Sequence, residues 1–210
     1  MLIIIPCKNE QETIIKISLF CNKITDTIVI DDFSEDQSNE LLKKYNINFI
    51  RNTKTLGYEK SILEGVKYAL KKKYKSICII DGDGEISPNE IYKIIKLSDG
   101  FDIIHGNRIM KKRIFEKIIS FIYLKLYKIK DPYCGLKFYK IKKNQKLLDL
   151  NIDTFSLKIL HSFLSKNSKI YNLDINIDNF RDGSRLGNSF LINFKLFCSF
   201  LSLHFWKYFH

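Results

Sequence analysis

The chain reads as an α/β protein built on a mostly parallel sheet with helices packed against it. Three observations predict this. Short apolar, β-branched runs alternate through the first half with segments whose hydrophobic residues recur at helical spacing. Each run is nearly continuous in apolar residues, as strands buried on both faces require. The 210 residues are 45% hydrophobic with only 9 Gly and 3 Pro, which suits one full core and excludes a low-complexity or disordered chain.

The elements come in a regular order. Strands are predicted at Leu2 to Pro6, Thr27 to Ile30, Asn48 to Arg51, Ser76 to Ile80 and Phe101 to Ile104. Between them, Glu12 to Phe20, Ser38 to Tyr45 and Glu59 to Lys72 read as helices, the last with Ile62, Val66, Ala69 and Leu70 on one stripe. A further helix starts at Ser87, since Ser87-Pro88 followed by Glu90 has the pattern of an N-cap, a first-turn proline and a capping box. That start leaves Asp81 to Ile86 as a loop. This is a doubly wound layout, in which ligands sit outside the carboxyl ends of the strands. The Asp31-Asp32 and Asp81 to Ile86 loops are therefore the places to look for a site.

Past Asn107 the pattern changes. A basic and aromatic helix is expected over Lys111 to Lys130, then a Pro-Tyr-Cys-Gly turn and a strand at Leu136 to Tyr139. Helices near Lys142 to Leu150 and Phe155 to Leu164 and a strand near Lys169 to Ile175 complete residues 1–186 as one domain. Residues 187–210 form an apolar, aromatic tail interrupted by Asn193, Lys195, His204 and Lys207. Those polar residues disfavour a membrane span. The tail reads as a helix for a membrane interface or for oligomer packing, with an ordinary core helix as the alternative.

Thirty-five Lys and Arg against 23 Asp and Glu leave a net charge of +12. Such a charge points to an anionic partner or to a solvated lysine surface. No interleaved RNP aromatics and no recognition helix accompany it, so nucleic acid is not expected. The five cysteines are scattered without CxxC pairing, which suits a reducing cytoplasm and neither a zinc nor a redox site. The amino terminus lacks the basic start and cleavage site of a signal peptide.

Asp81-Gly82-Asp83 comes directly after a strand. Side chains at i and i+2 of an extended loop project to one side, so Asp81 and Asp83 can grip one hard cation, and Glu85 continues the alternation. Oxygen ligands without nearby His or thiolate argue Mg2+ or Mn2+. A solvated acidic loop is the alternative, because a lone DxD is common by chance.

Other motifs join it in order: Ile3-Ile4-Ile5-Pro6-Cys7-Lys8-Asn9-Glu10, Val29-Ile30-Asp31-Asp32-Phe33-Ser34-Glu35-Asp36, Asn52 to Gly65, Asp81 to Pro88, Gly106-Asn107-Arg108 and Asp131-Pro132-Tyr133-Cys134-Gly135-Leu136-Lys137. Together they resemble the GT-A glycosyltransferases of family 2, most closely the dolichyl-phosphate mannose synthase and polyprenyl-phosphate glycosyltransferase branch. The resemblance implies a GT-A, Rossmann-like fold that binds a nucleotide sugar. It implies that Pro6, Lys8, Glu10, Ile30 and Asp32 hold the nucleotide's base and ribose, GDP- or UDP-linked. It places Asp81, Gly82 and Asp83 at the metal and diphosphate, with Glu85 where the family commonly has Gln. Arg181-Asp182-Gly183-Ser184-Arg185 resembles a shortened phosphate-clamping segment of that branch, making Arg181, Ser184 and Arg185 substrate-binding.

Arg108 is then expected at the acceptor phosphate, and Asp81, Asp83, Arg108 and Asp131 are expected as the catalytic group. The resemblance implies an inverting transfer of a hexose from a nucleotide sugar to a polyprenyl phosphate, dolichyl or undecaprenyl, in cell-envelope synthesis. The enzyme would work at the cytoplasmic face of a membrane as a peripheral protein, and a homo-oligomer is possible. Hydroxyl-acceptor relatives keep a carboxylate near the acceptor helix, whereas Lys158 stands there in this chain. A phosphate acceptor is already anionic and needs no base. The alternatives are a family 2 enzyme acting on a sugar hydroxyl of a surface glycan or glycolipid, and a binding subunit with a degenerate transferase fold. His105 and His161 read as packed side chains, and Cys134 as a small residue rather than a nucleophile.

Overall fold

In a computed structural model, residues 1–109, 114–143, 145–147, 156–177, 198, 200 and 201 are described. Seven strands form one sheet in the order β3-β2-β1-β4-β6-β5-β7. They are β1 (Leu2–Cys7), β2 (Thr27–Asp31), β3 (Phe49–Arg51), β4 (Ser76–Ile80), β5 (Ile103–Arg108), β6 (Leu136–Lys140) and β7 (Ile170–Ile175). β1 pairs parallel with β2 and β4, β2 with β3, and β5 with β7, while β6 runs antiparallel between β4 and β5. The α/β sheet flanked by helices is therefore as the sequence predicts.

The helices are α1 (Ile14–Asn22), α2 (Ser38–Lys44), α3 (Tyr58–Lys71), α4 (Pro88–Leu97), α5 (Ile114–Tyr127) and α6 (Leu157–Phe163). Strand alternation divides the apolar residues into two cores. Leu2 and Ile4 of β1 join Ile62, Val66 and Ala69 of α3 and Tyr123 of α5 on one face. Ile3, Ile5 and Cys7 join Ile14, Ile17 and Cys21 of α1 and Ile91 and Ile94 of α4 on the other. Continuous apolar runs were the right signal because both faces are covered. Gly65 lets α3 approach β1 closely: a Cβ there would lie 2.4 Å from Ile4 Cγ2.

Three local expectations differ. β5 begins at Ile103 and runs on to Arg108, so His105 to Arg108 lie in the sheet and not in a following loop. Parallel pairing of Gly106, Asn107 and Arg108 with Leu173, Asp174 and Ile175 extends it past the apolar run. Residues 142, 143 and 145–147 are not helical, so no helix spans the described part of Lys142 to Leu150. Gln145 instead binds the Lys146 and Ser162 carbonyls through its side chain, and such side-chain bonds compete with a helix. At the α4 start, Ser87 Oγ accepts from Glu90 N at 3.4 Å, but Glu90 turns its carboxylate to Lys93 Nζ at 3.0 Å, so only half of the capping box forms.

Candidate active site

The carboxyl ends of β1, β2, β4 and β5 and the start of antiparallel β6 meet along one edge of the sheet. At the β1 and β2 end, Pro6 and Ile30 are register partners, which brings two of the expected nucleotide positions side by side. Asp32, 4% exposed, accepts from Asn52 Nδ2 at 2.8 Å, Leu56 N at 2.8 Å and Gly57 N at 2.9 Å. Its carboxylate thus ties down the loop that starts α3. Lys8 Nζ donates to Thr55 Oγ1 of that loop at 2.6 Å, and the buried Glu10 has its N–H on Ser38 Oγ at 2.9 Å. Asn9 and Phe33 adopt left-handed backbone (φ 55° and 59°), and the Arg51 guanidinium lies over the Phe33 ring at 5.2 Å. Non-glycine residues in that region store strain, which concentrates at functional edges.

The acidic loop after β4 is the centre of the edge. Tyr58, at the first position of α3, donates its hydroxyl to Asp81 Oδ1 at 2.6 Å. Burial and the carboxylate of Asp81 push the Tyr58 hydroxyl well above its ordinary pKa, so it stays a donor. Asp81 itself is raised to about 6 by burial and by Asp83, with partial relief from Tyr58, Lys137 and Arg108. Its carboxylate lies directly over Gly135, where a Cβ would stand 2.0 Å from Oδ2. Gly82 fits between β1 and α1: a Cβ would meet the Pro6 carbonyl at 3.0 Å, and its own carbonyl accepts from Thr13 Oγ1 at 2.6 Å. Asp83 Oδ1 accepts from Glu85 N at 3.0 Å around Gly84, whose φ of 79° only glycine adopts readily.

Asp81, Asp83, Glu85, Arg108, Tyr133 and Gly135 line one narrow cleft of about 40 Å3. The three expected metal ligands do not all converge: among the described residues no three His, Cys, Asp or Glu side chains form a ready-made cation site. The reason lies in local bonding, with Asp81 turned to Tyr58 and Asp83 folded onto the Glu85 backbone.

Arg108 stands at the end of β5 as a braced fork. Nε donates to Asp131 Oδ2 at 2.8 Å, and Nη2 reaches Asp131 Oδ1 at 3.1 Å and Glu116 Oε2 at 3.2 Å. Three of the five guanidinium N–H groups are so used, leaving the Nη1 pair for a ligand. Burial opposes the charge, but Asp131 and Glu116 outweigh it, and the pKa lies above its ordinary value. Asp131 is fully buried and also accepts from the Arg108 and Tyr133 backbone N–H groups at 3.3 Å. Its carboxylate thus braces the Arg108 guanidinium.

Arg108 also lines a second, larger groove of about 590 Å3 with Asn107, Ile109, Lys117, Ser120, Phe121, Leu124 and Lys130. Among the described residues, Ser120 Oγ, in a residue 5% exposed, has no hydrogen-bond partner. One guanidinium thus joins an acidic cleft to a groove that is cationic at one end and apolar along α5.

Behind the cleft, Lys137 of β6 is completely buried between Ile79 and His105 and donates to Ser156 Oγ. Burial lowers its pKa, offset in part by Asp81, Cys134 and Asp131. Buried Glu59 of α3 accepts from the backbone N–H groups of Lys158 and Ile159 at 3.1 and 3.4 Å. His105 is fully buried, its Nδ1 3.3 Å from the Asp131 carbonyl and its Nε2 2.8 Å from the Tyr139 hydroxyl. A neutral imidazole donating from Nδ1 and accepting at Nε2 satisfies both, as expected of a packed histidine. Arg181, Ser184 and Arg185 lie outside the described residues.

A family model, Glycosyl transferase family 2, matches residues 2–121, more than half of the chain, from β1 through β5 and into α5. The chain belongs to glycosyl transferase family 2. An uncharacterized protein of Methanocaldococcus jannaschii is 34% identical to it over 163 residues, covering 67% of this chain and 71% of that one. The dolichol-phosphate mannosyltransferase of Pyrococcus furiosus is 28% identical over 188 residues, covering 78% of this chain and 52% of the mannosyltransferase. Among solved structures, glucosyl-3-phosphoglycerate synthase of Mycobacterium tuberculosis superposes with a TM-score of 0.71 at 13% identity, over 96% of this chain and 79% of the synthase. The same synthase in complex with Mn2+, uridine diphosphate and phosphoglyceric acid superposes with a TM-score of 0.74 at 11% identity, over 96% of this chain and 77% of the synthase. These neighbours show the GT-A fold for this family 2 glycosyltransferase.

The residues that sequence reading missed are those that position the motifs. Tyr58 lies at an unassigned position of the Asn52 to Gly65 segment, and Glu116, Lys117 and Ser120 belong to no motif. The one signal for Tyr58 is its place directly after the loop-closing Gly57, in the first turn of α3. Lys137 was inside a motif but had no assigned role.

Proposed function

We propose that this family 2 glycosyltransferase moves a hexose from a nucleotide-diphosphate sugar to a polyprenyl phosphate, with inversion, at a membrane surface. The observation that carries the reading is Arg108, shared between the acidic cleft and a groove with cationic and apolar walls. A donor diphosphate belongs with the acidic cleft. An acceptor with an anionic head and an apolar body suits the groove. The similarity to a dolichol-phosphate mannosyltransferase supports the same choice.

The donor set fits a divalent cation. Asp81 and Asp83 each have one oxygen engaged by the protein and one remaining, and their mutual repulsion within a buried cleft is relieved by positive charge. Two carboxylates and phosphate oxygens are the usual environment of Mg2+, and Mn2+ accepts the same hard ligands. Asp81 and Asp83 would hold the ion, with Glu85 at the rim, and the ion supplies Lewis-acid neutralisation of the leaving diphosphate. Pro6, Lys8, Glu10, Ile30 and Asp32 stand at the nucleotide end, and Gly82 lets the diphosphate approach the backbone.

Transfer is a single displacement. An acceptor phosphate oxygen bonds to the anomeric carbon as the bond to the nucleoside diphosphate breaks, the electron pair leaving with the diphosphate. Arg108, braced by Asp131 and Glu116, orients the acceptor phosphate through its Nη1 donors, and Lys117 and Ser120 add a charge and a hydroxyl. Asp131 and Glu116 are spent on Arg108, and Asp174 is held by Asn107 and Lys130 of the groove, which favours an acceptor that is already anionic over a hydroxyl requiring a base. Arg181, Ser184 and Arg185 are assigned to the phosphates by motif.

Calorimetry with UDP- and GDP-linked hexoses, with Mn2+ or chelator, tests the donor side, and a short polyprenyl phosphate is then added to the tightest binder. The expected result is metal-dependent binding, and nucleoside diphosphate release on adding the lipid phosphate. Asp83→Ala should lower turnover by about two orders of magnitude or more. Full activity in that variant would overturn the assignment, and turnover only with a sugar hydroxyl would move the acceptor.

A further inference from the structure

α5 exposes on its outer face the side chains a surface helix normally hides. Ile114, Ile118, Phe121 and Leu124 are 70%, 48%, 62% and 41% exposed, while Ile119, Ser120 and Tyr123 face inward. At 100° per residue these four share one stripe with Lys117 and Lys125, and the Lys125 ammonium lies over the Phe121 ring at 5.6 Å. Exposed Lys128 comes next at the helix end. Glu116, the only acid of the helix, is turned inward, 4% exposed and bound to Arg108. The outer face is therefore apolar and solely cationic. Contiguous apolar patches of this kind mark an interaction surface.

The charge pattern selects the partner. A second copy meeting this face through a two-fold axis would set its lysines against the same lysines. An anionic bilayer complements both features, taking the apolar side chains into the interface and the ammonium groups among phosphates. Lys117, Phe121 and Leu124 also line the groove beside Arg108, so the groove opens on this face. Among the described residues no helix is long and apolar enough to cross a membrane, and a helix lying in the interface needs no such length.

We infer that the outer face of α5 docks the enzyme on an anionic lipid surface and presents the groove beside Arg108 to lipid phosphates in that surface. This inference rests on the lipid-phosphate reading above and names the surface that serves it. The test is co-sedimentation of the full chain with phosphatidylcholine vesicles, with and without phosphatidylglycerol. Binding is expected only with phosphatidylglycerol and should weaken as salt rises. One lysine near such a surface contributes about fivefold in partition, so Lys125→Glu should lower binding by about tenfold or more. Ile114→Glu with Ile118→Glu should abolish it. These positions are exposed and outside both clefts, so the variants should transfer sugar to a short, water-soluble prenyl phosphate as the unaltered chain does.

Equal binding to both vesicle types, no binding, or variants that bind like the unaltered chain would overturn the docking. So would a stable dimer that Ile118→Glu dissociates and that ignores vesicles. Failure of the lipid-phosphate reading is a separate outcome: no transfer to the short prenyl phosphate by the unaltered chain, whatever its vesicle binding.

Discussion

Gly135 tests whether the position of the Asp81 carboxylate governs activity. A Cβ at residue 135 would stand 2.0 Å from Asp81 Oδ2 and 2.3 Å from Cγ. Ordinary contact needs about 3.5 Å, so in Gly135→Ala the carboxylate must retreat by more than about 1 Å. Gly135 has no positive φ, so alanine brings no backbone strain of its own. Asp81 can yield by rotating, which breaks the 2.6 Å bond from Tyr58 and lets the fold survive. Loss of one charged hydrogen bond costs about 1.5–3 kcal/mol. A displacement of about 1 Å at a reacting centre costs roughly a hundredfold in rate. The variant should therefore melt only several degrees lower, yet lose about two orders of magnitude in metal-dependent turnover of the nucleotide sugar. Calorimetric melting and a coupled assay for nucleoside diphosphate release measure the two effects. Unchanged turnover in a folded Gly135→Ala protein would refute the claim that Asp81 must sit where the structure puts it.

Three further outcomes are expected from neighbouring contacts. Tyr58→Phe removes the donor to Asp81 without changing shape, and should weaken Mn2+-dependent donor binding by about tenfold with a loss of stability of about 1.5–3 kcal/mol, read by titration of Mn2+ and by urea melts. Glu59→Ala leaves two backbone N–H groups of α6 without their acceptor and should cost about 2–3 kcal/mol in urea unfolding. His105 is lowered to about 3 by burial and by Lys137, whereas the unfolded chain binds that proton near 6.5. Its contribution to stability is then complete above about pH 6.5 and is lost as the pH falls toward 3. Between pH 7 and pH 5 this amounts to about 2 kcal/mol, and the difference should disappear in His105→Asn when urea midpoints are compared.

Much of the fold was legible because its first half buries strands on both faces. Continuous apolar runs such as Leu2 to Pro6 and Ser76 to Ile80 could be neither half-exposed strands nor surface helices. The antiparallel insertion of β6 was not legible, since Leu136 to Tyr139 looks the same in either direction. β5 was read as too short because His105, Gly106, Asn107 and Arg108 are polar or small, yet pairing with β7 keeps them extended. The segment around Lys142 misled through helix-favouring lysines and leucines, where Gln145 takes up backbone carbonyls instead.

The candidate site was legible where chemistry sits in a motif and opaque where it depends on distant partners. Asp81 and Asp83 follow a strand end that the pattern locates, and Arg108 is carried by the Gly106-Asn107-Arg108 motif. Their bonding partners cannot be read from spacing. Tyr58 reaches Asp81 across 23 positions, and Asp131 reaches Arg108 across 23 as well. The basic and aromatic helix around α5 was visible, but not that an apolar stripe of it faces outward, because burial depends on which neighbours pack against it.

Metal-dependent transfer to a lipid phosphate is read out in a single partition assay. The purified chain is incubated with a sugar-labelled nucleotide hexose, Mn2+ and a short polyprenyl phosphate, and the label is partitioned between water and organic solvent. The predicted result is label in the organic phase that depends on the lipid phosphate and disappears with chelator. Label that stays in water while a soluble glycan becomes glycosylated, or organic product formed equally well in chelator, would contradict it.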